Sequence, residues 1–176
     1  MSRPAPRNRL PSLKEHIKDY YARIITAPRL QILAPMMNEK IVNSIDRVLR
    51  HFIKEIGGRM ETSTMRSLTR ADLLRAVGRV TDDEYMIKAI EEQFEKRPKF
   101  FEVITVGPHL HASTNIPLTE QTEHAMTMVV EYMAHEILSL AANGAIDRGD
   151  SKVRQGDVDL AIDNDPALKQ MLRLGA

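Results

Sequence analysis

His109 and His111, two residues apart, are the nearest thing in this chain to a metal-ligand pair. A structural zinc ion takes four ligands, commonly including thiolates. The chain has no Cys, and no third ligand accompanies the pair. Asp157, Asp159, Asp163 and Asp165 crowd carboxylates together, but the Gly and Glu that complete a calcium loop are missing. Arg148-Gly149-Asp150 spells an adhesion tripeptide, yet those residue types simply make a turn. No Gly-rich phosphate loop, nucleophile elbow or carboxylate dyad is visible. The expectation is a protein that is not an enzyme, with no metal and no cofactor.

The remaining chemistry is charge. The formal net charge is +1, but it is unevenly placed. Residues 1–98 carry 19 Lys/Arg against 13 Asp/Glu, and residues 99–176 carry 6 against 11. A basic half fits an anionic partner and an acidic half a basic one. The two halves also attract each other. A solvated surface is the ordinary fate of any single charge among these.

Elements must hold these charges in place. Trp is absent and aromatics make up 5% of the chain, while Met numbers ten. This composition fits a helical core of Leu, Ile, Val and Met. MSRPAPRNRLP has no apolar stretch of a secretory leader, and no run approaches membrane-spanning length. With no Cys, a soluble protein of a reducing, intracellular compartment is expected.

Residues 1–11 read as a disordered basic tail with Arg3, Arg7 and Arg9. Ser12 and Glu15 form a capping-box pair that starts a helix at Leu13, ending near Thr26 before Pro28. A loop with Arg29 leads to a long helix from about Asn38 to Met60, weakened at Gly57–Gly58. After a polar loop with Arg66, Thr69 and Asp72 cap a short helix to about Val80. Another helix runs from about Asp83 to Lys96, with Met86, Ile87, Ile90 and Phe94 on its apolar face. Pro98 to Leu118 is ambiguous: FFEVITV suits a strand, while Pro98 as a start and Gly107-Pro108 as a stop suit a short helix. The helix is preferred because the repeat described next needs one. Thr119 caps a second long helix to about Ile146. A loop over Asp147–Arg154, a short helix over Gly156–Ile162 and a last helix from Pro166 to Leu172 complete the chain.

Two segments repeat at an offset of 85 residues. Ile41, Ile45, Val48, Phe52 and Ile56 match Met126, Val130, Met133, Ile137 and Ala141. Asp72, Ala76 and Val77 match Asp157, Ala161 and Ile162. Each half therefore reads short helix, loop, long helix, loop, short helix. A long helix with apolar residues over a wide arc needs a second copy laid across it. Fusion in one chain raises the effective concentration of that partner.

The stretch VVEYMAHEILSLAANGAIDRGDSKVRQGDVDLAIDNDPALKQML resembles the histone fold of core histone 2A, through EYxxxEIL and LAI-NDxxL at the same spacing. TRADLLRAV and DDEYMIKAIEEQFEK resemble parts of core histone 2B. The order, 2B-like then 2A-like, is similar to the fused histone doublets of large DNA viruses of amoebae. The resemblance implies an all-α fold with two histone folds forming an intramolecular handshake pseudo-dimer. Its parts would be a tail over 1–11, a 2B-like fold with an extra helix over 12–97, and a 2A-like fold over 98–176. The chain departs from the family in its near-neutral charge, its short tails and its end at Ala176, where histone 2A continues.

The function implied is architectural packaging of double-stranded DNA without sequence preference, in nucleosome-like particles with a histone 3–histone 4-like doublet or tetramer. The implied location is the virion and the infected cell, in nucleus or viral factory. No membrane and no small-molecule substrate are implied. The family's paired loops would group Arg29 with Lys152 and Arg154, and Arg66 and Arg59 with the Pro108–Pro117 loop. Guanidinium groups and helix N-termini there would hold phosphates. Arg3, Arg7, Arg9 and Arg23 extend the implied DNA-binding set. Lys152 and Pro117 stand where histone 2A has DNA-facing arginines, and Arg66 has an alternative role in an ion pair with Asp72. Glu84, Glu92, Glu131, Glu136 and Asp165 match the family's acidic patch, diluted by Ser139, Pro166 and Ala167. The alternative reading is a histone-fold regulatory or histone-binding module that works through its acidic half.

Overall fold

The repeat at offset 85 reappears in the helices that carry it. A computed structural model describes residues 10–25, 38–62, 66–150 and 152–172. Among these the chain is all-helical: α1 (Lys14–Ile25), α2 (Glu39–Gly58), α3 (Arg70–Gly78), α4 (Glu84–Gln93), α5 (Val103–Ser113), α6 (Glu120–Asp147), α7 (Gln155–Asn164) and α8 (Pro166–Leu172). The shift that carries α3 to 155–163 lands it on α7, and α2 falls inside α6.

Local chemistry sets most of these boundaries. Asn38 caps α2 by accepting the Lys40 N–H at 2.8 Å. Thr69 and Asp72 close a reciprocal capping box on α3. Asp83 caps α4 and Thr119 caps α6 in the same manner, each through the N–H three residues on. Ser12 accepts the Lys14 N–H at 3.1 Å, but Glu15 turns to Lys18 (3.5 Å) and the expected reciprocal box does not form. α2 stops at Gly58, at the Gly pair that weakens it.

The segment around Gly107-Pro108 corrects the sequence expectation twice. It is a helix, not a strand, but it starts at Val103 rather than Pro98. Pro108 lies inside α5 instead of ending it. An interior Pro withdraws one N–H from the helix ladder. The carbonyl left over belongs to Ile104, an exposed residue.

The predicted stripes form the core. Ile41, Ile45, Phe52 and Ile56 are buried and Val48 is half-buried. All five α6 counterparts are buried, as are Ala125, Val129, Ala134, Leu138 and Ala142. Burial on nearly every side makes α6 the central helix. The sequence halves interleave around it: α5 packs on α2 as well as α6, α4 on α6, and α8 on α2. Gly57 permits the closest approach, because a Cβ there would collide with Ser113 on α5.

Two buried acids anchor the first short helix of each half. Asp46 on α2 accepts the Leu13 N–H at 3.0 Å at the start of α1. Glu131 on α6, 85 residues later, accepts the N–H groups of Lys99, Phe100 and Phe101 at 3.0, 2.8 and 3.0 Å, just before α5. Both are buried in spite of their charge type, and both are satisfied by backbone donors. The offset of 85 thus relates the two buried acids as well as the apolar stripes.

Candidate nucleic-acid interface

Leu68 and Leu118 form an isolated parallel β-bridge. The Leu68 N–H donates to the Pro117 carbonyl at 2.7 Å, and the Thr119 N–H donates back to the Leu68 carbonyl at 3.2 Å. The Thr122 hydroxyl donates a second bond to that carbonyl at 2.8 Å. This pairing lays the loop before α3 beside the loop before α6. The N-termini of both helices therefore open at one place, capped by Thr69 and Thr119. Two positive helix ends side by side make an anion-attracting surface. Arg66 is exposed two residues before the bridge.

Arg59 stands at the end of α2, where the first loop begins. It faces Glu55 at 3.7 Å, and its carbonyl accepts from the Arg79 guanidinium at 2.7 Å. Arg79 also pairs with Glu61 at 3.3 Å. Of the expected grouping with the Pro108–Pro117 loop, the Leu68–Leu118 bridge brings the Arg66 loop beside the end of that segment, which is itself helical as far as Ser113, while Arg59 contacts Glu55 and Arg79. The expected Arg66–Asp72 ion pair does not form. Asp72 pairs with Arg75, one helical turn on, and that contact leaves Arg66 at the surface. For Asp72 burial works against ionisation, but bonds from Thr69 and Arg75 outweigh it and hold the carboxyl below its usual range.

At the second loop, Arg154 precedes α7 and its N–H donates to Asp157 at 2.7 Å. Its guanidinium meets Asp150 at 2.7 Å while remaining largely exposed. Lys152 is exposed, and its N–H donates to Asp150 at 3.2 Å. Gly149 takes a left-handed conformation (φ 73°), which lets the loop turn there. Asp157 is gripped by Arg148, so the Arg-Gly-Asp spelling encodes a loop brace. Burial again opposes ionisation of Asp157, and the Arg148 and Arg154 bonds again prevail and lower its pKa.

Arg3, Arg7, Arg9 and Arg29 lie outside the described residues. The grouping of Arg29 with Lys152 and Arg154 is therefore not part of the described geometry. Arg23 takes a specific place: its guanidinium sits 5.7 Å from the centre of the Phe100 ring, tying α1 to the segment before α5.

The acidic set divides. Burial, and after it the charges of Glu136, Asp165 and Glu92, push the Tyr132 hydroxyl above the usual tyrosine range. The negative charge of these three acids thus acts on one half-buried phenol. Glu131 does not belong with them. It is buried and committed to three backbone N–H groups, so its place in a surface patch is overturned. Glu84 is exposed at the first turn of α4, about 12 Å along the helix from Glu92. Asp165 also accepts the Leu168 N–H at 3.0 Å, which caps α8.

The expected His pair is split by its partners. His109 is buried and its Nε2–H donates to the Pro11 carbonyl, while His111 meets Glu123. Among the described residues no group of three His, Asp or Glu side chains is arranged to hold a metal ion. No described helix is long and apolar enough to cross a membrane.

Sequence reasoning passed over a groove of about 830 Å³ beside α2 and α5. Arg47, Arg50, His51, Lys54 and Arg59 line it along one side. The signal was present as cations at 47, 50 and 54, on the face of α2 away from the apolar stripe. The chain matches no protein-family model and no curated protein.

Proposed function

We propose that this chain is an architectural DNA-binding protein, built as two histone folds fused in one polypeptide and folded on each other as a handshake pair. The observation that carries this reading is the Leu68–Leu118 bridge. It sets two loops, two helix N-termini and Arg66 on one face, which is the arrangement a phosphate backbone needs. Register at offset 85 in both packing and anchoring supports the two-fold construction. The contacts offered are cations and helix ends, which hold phosphates without reading bases, so binding is sequence-blind. Lys152 and Arg154 supply the second loop's contribution. A histone 3–histone 4-like doublet is the proposed protein partner, within a nucleosome-like particle in the virion or infected cell.

The test is micrococcal nuclease digestion of DNA reconstituted with the protein, with and without a histone 3–histone 4-like partner. A protected ladder supports packaging. Partner binding without protection refutes it, and favours the second reading, a histone-binding or regulatory module. That reading draws on one specific feature, the negative charge that Glu136, Asp165 and Glu92 bring to bear at Tyr132, which suits a basic peptide or an Arg anchor.

A further inference from the structure

We infer that the groove along α2 is a second phosphate-contact surface for duplex DNA, separate from the paired-loop face. The inference rests on the DNA-binding reading above and extends it to residues that lie outside the loops.

Arg47, Arg50 and Lys54 recur every three to four residues, so they stand on one face of α2. Arg59 ends the row. From Arg47 to Arg59 the helix rises about 18 Å at 1.5 Å per residue. One DNA strand advances about 3.4 Å per phosphate along the duplex axis, so that length faces roughly five phosphates. Arg47, Arg50 and Lys54 are exposed.

Nearby acids do not cancel the row. Arg50 meets Asp46 at 2.9 Å, but Asp46 is buried behind the helix and also serves the Leu13 N–H. Glu55 is the acid that lines the groove, and it faces both His51 at 4.0 Å and Arg59 at 3.7 Å. Four Lys/Arg side chains against one lining carboxylate leave the surface positive.

The lining also discriminates between classes of partner. A protein or peptide groove draws its affinity from aromatic and aliphatic anchors in apolar pockets. Here the apolar side chains are Leu10 and Ala112. A phosphate backbone asks only for cations and donors at suitable spacing. Gly58 lies on the same wall, and a Cβ built there meets nothing within 4 Å. The wall is open at that point, so a backbone can approach closely.

The experiment measures binding of the full chain to two unrelated duplexes by fluorescence anisotropy, from 50 to 200 mM salt. The variants are Arg47→Ala with Lys54→Ala, Gly58→Glu, and Arg66→Ala as the separate probe of the loop face. Each lost phosphate contact removes about 0.9 from the salt slope, or about 3.5-fold over that salt range. The double variant is expected to lower affinity equally on both duplexes and to shrink the salt effect by about 12-fold. Gly58→Glu is expected to weaken binding while leaving the thermal melt in place. If Arg66→Ala weakens binding but the groove variants leave the slope unchanged, the groove inference is overturned and the loop reading stands. If no variant changes the slope, both fall. If poly-glutamate binds in a manner sensitive to the groove variants while the DNA slope does not move, the groove takes acidic protein and the inference is overturned. Circular dichroism of each variant confirms that the fold is retained.

Discussion

Replacing Glu131 with Ala tests the central polar feature of the fold. Its carboxylate accepts three consecutive backbone N–H groups, and no helix or strand supplies them with other partners. Phe101 is buried, so its N–H would be left without water, at a cost of about 1–3 kcal/mol. Lys99 is exposed and Phe100 half-buried, so water can replace part of their loss, at about 0.5 kcal/mol each. Relief from holding a carboxylate in the interior returns some of this. The net expectation is a loss of about 2–3 kcal/mol. For a chain of this size that lowers Tm by roughly 4–12 °C. Glu131→Gln keeps one acceptor oxygen and should lose about 1 kcal/mol. Asp46→Ala forfeits a single backbone bond and an ion pair to an exposed Arg, so it should fall between the two. The assay is thermal and urea denaturation followed by circular dichroism. A Tm for Glu131→Ala within about 1 °C of the parent would refute the reasoning, because the turn before α5 would then be held by packing alone.

The other predictions concern packing and pH. Residues 12–97 and 98–176, expressed separately, should each lack a cooperative melt, because α5 packs on α2 and α4 on α6 across that division; a cooperative monomeric melt of either half would contradict this. Gly57→Ala should cost about 1–3 kcal/mol by driving a Cβ into Ser113, whereas Gly58→Ala, with open space, should be neutral or gain up to about 1 kcal/mol of helix propensity; equal effects at the two sites would count against the close approach. Asp72 and Asp157 have folded pKa values below the ordinary 3.8, so they stabilise the fold above that pH and lose their contribution as pH falls through the folded values. Acid titration of the double variant Asp72→Asn with Asp157→Asn should therefore show a flatter decline in Tm below about pH 5 than the parent.

Most helix boundaries were legible because their causes are local. Asn38, Thr69, Asp83 and Thr119 each satisfy a backbone N–H two or three residues away, and such signals are read directly from the chain. The repeat was legible because apolar spacing at offset 85 is a property of sequence alone, and it carried the all-helical class with it. Tertiary structure decided where the charges went. The resemblance puts Glu131 in a surface acidic patch, yet backbone donors about thirty residues earlier draw it inside. Asp72 had two arginines in reach along the chain, and the helix turn selected Arg75 over Arg66. Pro108 reads as a stop, but packing of α5 against α2 and α6 outweighs one missing hydrogen bond. The cations of α2 became a groove only when α5 was laid alongside it. For Glu131, Pro108 and the α2 cations the deciding partner is far off in sequence, so the energy that fixes the outcome exists only after the chain has folded, whereas Asp72 is settled within one helical turn.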